Sequence, residues 1–151
     1  MCILGLERQR LKTGINGTMK NSKTRFGVIG VGFLGERHVQ MYNRIKNVDL
    51  AGVFDTNSKR AEWISRRYQT QSFSCLEELL ERVDAVSIVT PTKDHYAVAR
   101  EAMALGKHVL VEKPMTANVE EADALLAQAK KAGVILQVGH VERFNAGIGV
   151  L

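Results

Sequence analysis

Gly30-Val31-Gly32-Phe33-Leu34-Gly35 stands directly after a short apolar run, Phe26 to Ile29, and directly before a helical pattern. In that setting a GxGxxG has a mechanical reading. Gly30 permits a tight turn, Gly32 lets the backbone approach a pyrophosphate, and Gly35 lets the helix pack on the strand. Phe33 and Leu34 open the helix, so their amides and the positive end of the helix dipole point at the phosphates. Asp55 follows Gly35 by twenty residues, at the end of the next apolar run, Leu50 to Phe54. A carboxylate there accepts hydrogen bonds from the adenosine ribose hydroxyls and repels a 2′-phosphate, which predicts NAD rather than NADP as the cofactor. Two alternatives stay open: Asp55 as a turn or cap residue before Thr56-Asn57-Ser58, and Lys59 and Arg60 as neutralisers of a phosphate.

Positioning these residues requires strands that end at one edge of a sheet. Five runs rich in Val and Ile are too short for helices and read as buried parallel strands: Phe26 to Ile29, Leu50 to Phe54, Ala85 to Val89, His108 to Val111 and Val134 to Val138. Helical patterns separate them, at Leu34 to Ile45, Ser58 to Tyr68, Cys75 to Leu80, Asp94 to Leu105 and Val119 to Ala132. The last places Val119, Ala122, Leu125, Leu126 and Ala129 on one face, with Asn118 as cap and Glu121 as capping-box partner. A weak further strand falls near Gln71 to Phe73. The alternation predicts an α/β fold, a doubly wound parallel sheet of the Rossmann type, because a parallel neighbour is reached only through a crossover.

Open sheets of this kind bind ligands at the carboxyl ends of their strands, so the residues after each strand are the next candidates. Thr90-Pro91-Thr92 with Asp94 and His95 follows the third run, Glu112-Lys113-Pro114 the fourth, and Gly139-His140 with Glu142, Arg143 and Asn145 the fifth. Both prolines of the chain fall at these ends, where a fixed φ suits a rigid loop or simply terminates a strand.

Charge and composition restrict the partners. The 151 residues are 45% hydrophobic and carry a formal charge of +5. Six basic residues and one acidic residue lie in the first 25, which leaves fifteen of each sign in the remainder, so the folded body is neutral and offers no basic face for nucleic acid. No apolar stretch approaches the roughly 18 residues of a membrane span. Cys2 and Cys75 have no partners at metal-ligand spacing, so neither a metal site nor a disulfide framework is expected, and a cytoplasmic location is. Residues 1–24 lack periodicity and read as a disordered basic extension, 25–145 as the dinucleotide-binding domain, and 146–151 as a tail.

The GxGxxG, the acid ending the second strand, the turn Thr90-Pro91 with His95, the segment GKHVLVEKP and the closing VGHxxRFN together resemble the cofactor domain of the Gfo/Idh/MocA oxidoreductase family, over about Arg25 to Asn145. The GHVERFN ending looks most like members acting on sugar nucleotides such as UDP-N-acetylglucosamine. The resemblance implies hydride transfer between a hydroxyl-bearing carbon of a sugar, sugar nucleotide or polyol and C4 of the nicotinamide. It makes Lys113 the catalytic residue that handles the substrate hydroxyl's proton, a task a lysine beside a cationic ring can perform. Glu112 then lies near the nicotinamide ribose, Thr90, Pro91 and His95 lie along the dinucleotide, and His140 and Arg143 lie toward the substrate. Bland alternatives remain: a loop lysine at 113, a first-turn helix residue at 95, a satisfied histidine at 140 and a solvated charge at 143. Family members continue into a second, α+β substrate domain. Here Ala146 stands where its leading proline is expected, so a truncated chain, a split protein completed by a partner chain or a second copy, and a non-catalytic NAD-binding or redox-sensing module all stay open.

Overall fold

The computed structural model describes residues 23–140. The five apolar runs form β1 (Thr24–Ile29), β2 (Val48–Phe54), β3 (Ala85–Ile88), β4 (His108–Val111) and β5 (Leu136–Val138). Between them lie α1 (Phe33–Tyr42), α2 (Ser58–Tyr68), α3 (Leu76–Arg82), α4 (Thr92–Ala104) and α5 (Val119–Ala132). The expected extension of residues 1–24 lies almost wholly outside the described residues, as does the tail of 146–151. Thr24, assigned to the extension, already pairs with Val48 in the sheet.

Every neighbouring pair of strands is parallel, in the order β2-β1-β3-β4-β5. The segment expected as a weak strand near Gln71–Phe73 survives as a single parallel bridge between Val53 and Ser72. Two backbone bonds make it, Val53 N–H to the Gln71 carbonyl (2.8 Å) and Phe73 N–H to the Val53 carbonyl (3.0 Å). Counting that bridge as a vestigial strand outside β2 restores the doubly wound order 3-2-1-4-5-6, with the direction of winding reversing between β1 and β3.

Successive residues of a strand face opposite sides, and β1 shows it: Val28 joins the core under α1 and α2, and Ile29 joins the larger core under α3, α4 and α5. The first core is closed by Val31, Val39, Val53, Ala61 and Ile64; the second by Leu79, Leu80, Ile88, Met103, Val111 and Leu125, among others. All four residues of β3 are buried, as a central parallel strand requires, and one of them is Ser87.

Local capping chemistry sets several helix ends. The Asn57 side chain accepts from Arg60 N–H to open α2, and Asn118 accepts from Glu121 N–H to open α5. Glu121 returns to the Ala117 amide (3.3 Å), closing the box one residue before the cap. The apolar stripe expected on α5 is narrower than its sequence suggests. Leu125 and Ala129 are buried, but Val119 and Leu126 are 71% and 54% exposed, because α5 crosses over at the edge of the sheet and packs chiefly against α4.

Candidate functional site

Read across the sheet, the strand ends carry Asp55 after β2, the glycine turn after β1, Thr90-Pro91 after β3, Glu112-Lys113 after β4 and Gly139-His140 after β5. A cleft of about 690 Å³ opens where the winding reverses, and Gly30, Gly32, Phe33, Leu34, Gly35, Asp55, Thr90 and Pro91 all line it.

The glycine turn is built by close contact. Gly30 has φ +84°, and a Cβ there would stand 2.7 Å from the Val89 carbonyl oxygen; its N–H donates to the Phe54 carbonyl at 2.8 Å. A Cβ on Gly35 would collide with the Gly30 carbonyl, so helix and turn can meet only through glycine. Gly32 is the N-cap of α1, no side chain caps that terminus, and a Cβ there would project into open space. Among the described residues no side chain claims the first-turn amides, and Phe33, 78% exposed, and Leu34 flank them at the cleft.

Asp55 is half-buried in the cleft wall. Its Oδ2 accepts from Val31 N–H and its Oδ1 from Asn57 N–H, both at 2.8 Å. The turn role and the cleft-lining role thus coincide in one residue, since two backbone amides fix the carboxylate and each oxygen retains acceptor capacity. Arg60 is engaged elsewhere than the cleft: Nε donates to the Val31 carbonyl (2.8 Å) and Nη2 to Glu36 Oε2 (2.6 Å).

Thr90 brings a buried hydroxyl oxygen that finds no hydrogen-bond partner among the described residues. An orphaned buried hydroxyl on a cleft wall, beside unclaimed helix amides and an open glycine cradle, is the donor and acceptor set that a dinucleotide would satisfy. Pro91 caps α4. His95, expected along the cofactor, instead turns inward and is 1% exposed. Its Nε2 lies 2.8 Å from the Thr90 carbonyl and its Nδ1 2.9 Å from the Pro114 carbonyl, so the ring stands between the β3 turn and the β4 loop, with one of the two carbonyls accepting its N–H in either neutral tautomer. The reason is helical phase: in the first turn of α4, Asp94 faces the cleft, while the next position points at the sheet.

Glu112 is 8% exposed, and its Oε2 accepts from Lys113 N–H at 3.2 Å. His38 Nε2 stands 3.0 Å from its other oxygen, and His38 Nδ1 stands 2.7 Å from Ser87 Oγ. The assignment that satisfies every group puts the proton on Nε2, donating to Glu112, and lets the Ser87 hydroxyl donate to Nδ1. Burial pushes the neighbouring Tyr42 phenol up, opposed by its hydrogen bond with Ser87. Lys113 itself is exposed, on a loop whose Lys113–Pro114 peptide is cis. His140 is exposed beside it at the end of β5; Arg143 lies outside the described residues. Lys113, Glu112 and His140 do not line the cleft but follow it along the same sheet edge.

Sequence reasoning passed over His38 and Ser87. One signal was available: a serine inside a fully buried strand must bond something, and His38 lies on the α1 stripe with Gly35, Val39 and Tyr42. Among the described residues no group of three or more His, Cys, Asp or Glu is arranged to hold a metal, and no helix is long and apolar enough to cross a membrane.

Comparison with known proteins agrees with this fold. The chain is 48% identical over 127 residues to a UDP-N-acetylglucosamine 3-dehydrogenase of Acidithiobacillus ferrooxidans, covering 84% of this chain and 40% of that protein. The solved structure of that bacterium's UDP-N-acetylglucosamine 3-dehydrogenase GnnA superposes with a TM-score of 0.81 at 47% identity, over 85% of this chain and 42% of the other. GenD2 from gentamicin A biosynthesis, solved in complex with NAD, gives a TM-score of 0.76 at 29% identity, over 85% and 37% of the two chains. The chain thus spans about 40% of the length of the relative it matches at highest identity among these. Residues 24–140 match the model of the Gfo/Idh/MocA family, described as an oxidoreductase family with an NAD-binding Rossmann fold, and the chain belongs to that family.

Proposed function

We propose that this chain is the cofactor-binding half of an oxidoreductase that moves hydride between NAD and a hydroxyl-bearing carbon of a sugar, sugar nucleotide or polyol. The observation that carries the reading is the order of groups along the sheet edge: ribose acceptor, phosphate cradle, orphaned hydroxyl, then Glu112 and Lys113. From β2 to β4 is three strand spacings, about 14 Å, so a dinucleotide lying across the edge presents opposite ends to Asp55 and Lys113. Gly30, Gly32 and Gly35 shape the cradle, the amides of Phe33 and Leu34 meet the pyrophosphate, and Asp55 accepts from the adenosine ribose. Thr90 and Pro91 form the opposite wall, and Glu112 holds the loop that presents Lys113.

The nicotinamide, when bound, accepts or supplies the hydride. The chain's own part is positional and acid–base: Lys113 Nζ holds the proton that leaves or enters the substrate hydroxyl, while the cradle fixes the cofactor's approach. By the family resemblance, His140 and Arg143 are assigned to the substrate rather than to the cofactor. The relative at 48% identity favours a sugar nucleotide among the substrate classes. A further domain, a partner chain or a second copy completes the exposed edge at Lys113 and His140. A non-catalytic NAD-binding or redox-sensing module would use the same cleft.

Calorimetric titration of the pure chain tests the reading. NAD is expected to bind more tightly than NADP, and Asp55→Ser to weaken NAD by about 1 to 3 kcal/mol while narrowing the discrimination. With the substrate side open, the chain alone is expected to bind NAD without sustained NADH production on a panel of sugar nucleotides and polyols. Tighter NADP binding refutes the cofactor assignment, and steady turnover by the pure chain refutes the need for a completing partner.

A further inference from the structure

Asp55 and Arg60 meet on one peptide segment. Val31 donates its N–H to Asp55 Oδ2 and accepts from Arg60 Nε at its carbonyl, each at 2.8 Å. Asn57 ties the same two residues again, through its N–H to Asp55 Oδ1 (2.8 Å) and its Oδ1 from Arg60 N–H (3.1 Å). The Arg60 guanidinium is thereby tethered to the same short segment as the carboxylate that the proposed function assigns to the adenosine ribose. That is where a cation would have to stand to hold a 2′-phosphate. Arginine grips phosphate through a two-pronged fork, and Nη2 belongs to both of the forks it can offer.

In this chain Nη2 is taken. It lies 2.6 Å from Glu36 Oε2 and 3.5 Å from the Gly32 carbonyl, in a half-buried ion pair. Glu36 cannot readily swing aside, because its other oxygen accepts from the Tyr68 hydroxyl at 2.6 Å and stands 3.7 Å from Arg67 Nε. Beneath the pair, Trp63 carries the Arg60 guanidinium at 4.7 Å and that of Arg67 at 5.0 Å, which fixes the plane of the fork. The Glu36 side chain does not line the cofactor cleft.

We propose that Glu36 is a cofactor-specificity determinant: by occupying the Arg60 fork and neutralising its charge, it denies a 2′-phosphate the guanidinium tethered to the same segment as Asp55. The inference rests on the dinucleotide reading above. Exclusion of NADP then has two layers, repulsion by Asp55 and sequestration of Arg60 by Glu36.

The test is calorimetric titration of the full chain with NAD and with NADP. Glu36→Gln removes the charge and keeps a partner for Tyr68; it is expected to tighten NADP about 10-fold and to leave NAD within about 3-fold. Glu36→Ala should do at least as much. Adding Arg60→Gln to either variant should erase the gain, and Tyr68→Phe, which loosens Glu36 but keeps its charge, should raise the NADP-to-NAD ratio by less than Glu36→Gln does. Circular dichroism verifies that each variant is folded. An unchanged ratio in both folded Glu36 variants, or a gain that persists without Arg60, overturns the proposal. If the wild-type chain binds neither cofactor, the dinucleotide reading fails and this inference falls with it.

Discussion

Replacing His38 with alanine is expected to destabilise the fold far more than one half-buried helix residue ordinarily would. His38 and Glu112 have side chains only 15% and 10% exposed, so solvent does little to screen their interaction. The substitution deletes a hydrogen bond to a carboxylate, worth about 1.5 to 3 kcal/mol, and takes from the fully buried Ser87 hydroxyl one of its two partners, leaving it Tyr42. Part of this is recovered by water entering the space left by the ring, so we expect about 3 kcal/mol. At about 2.1 cal/mol/K of unfolding entropy per residue, a domain the size of residues 23–140 unfolds with about 0.25 kcal/mol/K, and Tm should fall by about 12 °C. Glu112→Gln is the informative companion. Glu112 accepts from both His38 and Lys113 N–H, and an amide offers one oxygen, so its nitrogen must face one of the two. The imidazole can accommodate that by moving its proton from Nε2 to Nδ1, which long-range nitrogen–proton NMR of His38 reads directly. Calorimetric unfolding of both variants is the assay. A His38→Ala variant within about 0.5 kcal/mol of wild type would refute the buried relay and, with it, the argument that Glu112 anchors the Lys113 loop.

Gly35→Ala should unfold the glycine turn locally and abolish dinucleotide binding, because its Cβ lands on the Gly30 carbonyl with no flexible side chain to yield; titration with NAD checks it. In the complete enzyme, Lys113→Ala should lower turnover roughly 100-fold and leave NAD affinity within a few-fold, as a group engaged in proton transfer rather than cofactor binding requires; steady-state kinetics beside titration separates the two. The Arg25 guanidinium, bonded to Asp84 at 2.7 Å, holds that carboxyl below the usual carboxylate range. A depressed folded-state value means the stabilisation is fully present above the unfolded value, about pH 4, and is lost as the pH falls through the folded one. Because both side chains are nearly half exposed, it amounts to only about 0.2 to 1 kcal/mol, and Arg25→Gln should remove that much of the acid sensitivity in a pH series of unfolding curves.

The sequence by itself determined the parts whose physics is local. The five apolar runs could only be buried parallel strands once helices separated them, the start of α5 follows from Asn118, and the glycine turn follows from the spacing of Gly30, Gly32 and Gly35. Asp55 was legible because its distance from the turn is one crossover long. Tertiary structure alone decided what depends on how a helix is rotated over the sheet and on which distant polar groups are shut away from water together. His38 meets Ser87 and Glu112 across 49 and 74 residues of chain, and Arg60 meets Glu36 across 24; nothing in the spacing marks either pairing. The same rotation sends His95 to two carbonyls rather than to the cleft, and leaves Leu126 in solvent on a helix whose pattern placed it inward. Periodicity along one element specifies which side chains share a face. Only packing against the neighbouring elements specifies what that face meets, because burial makes a polar group's partner obligatory without saying where in the chain it lies.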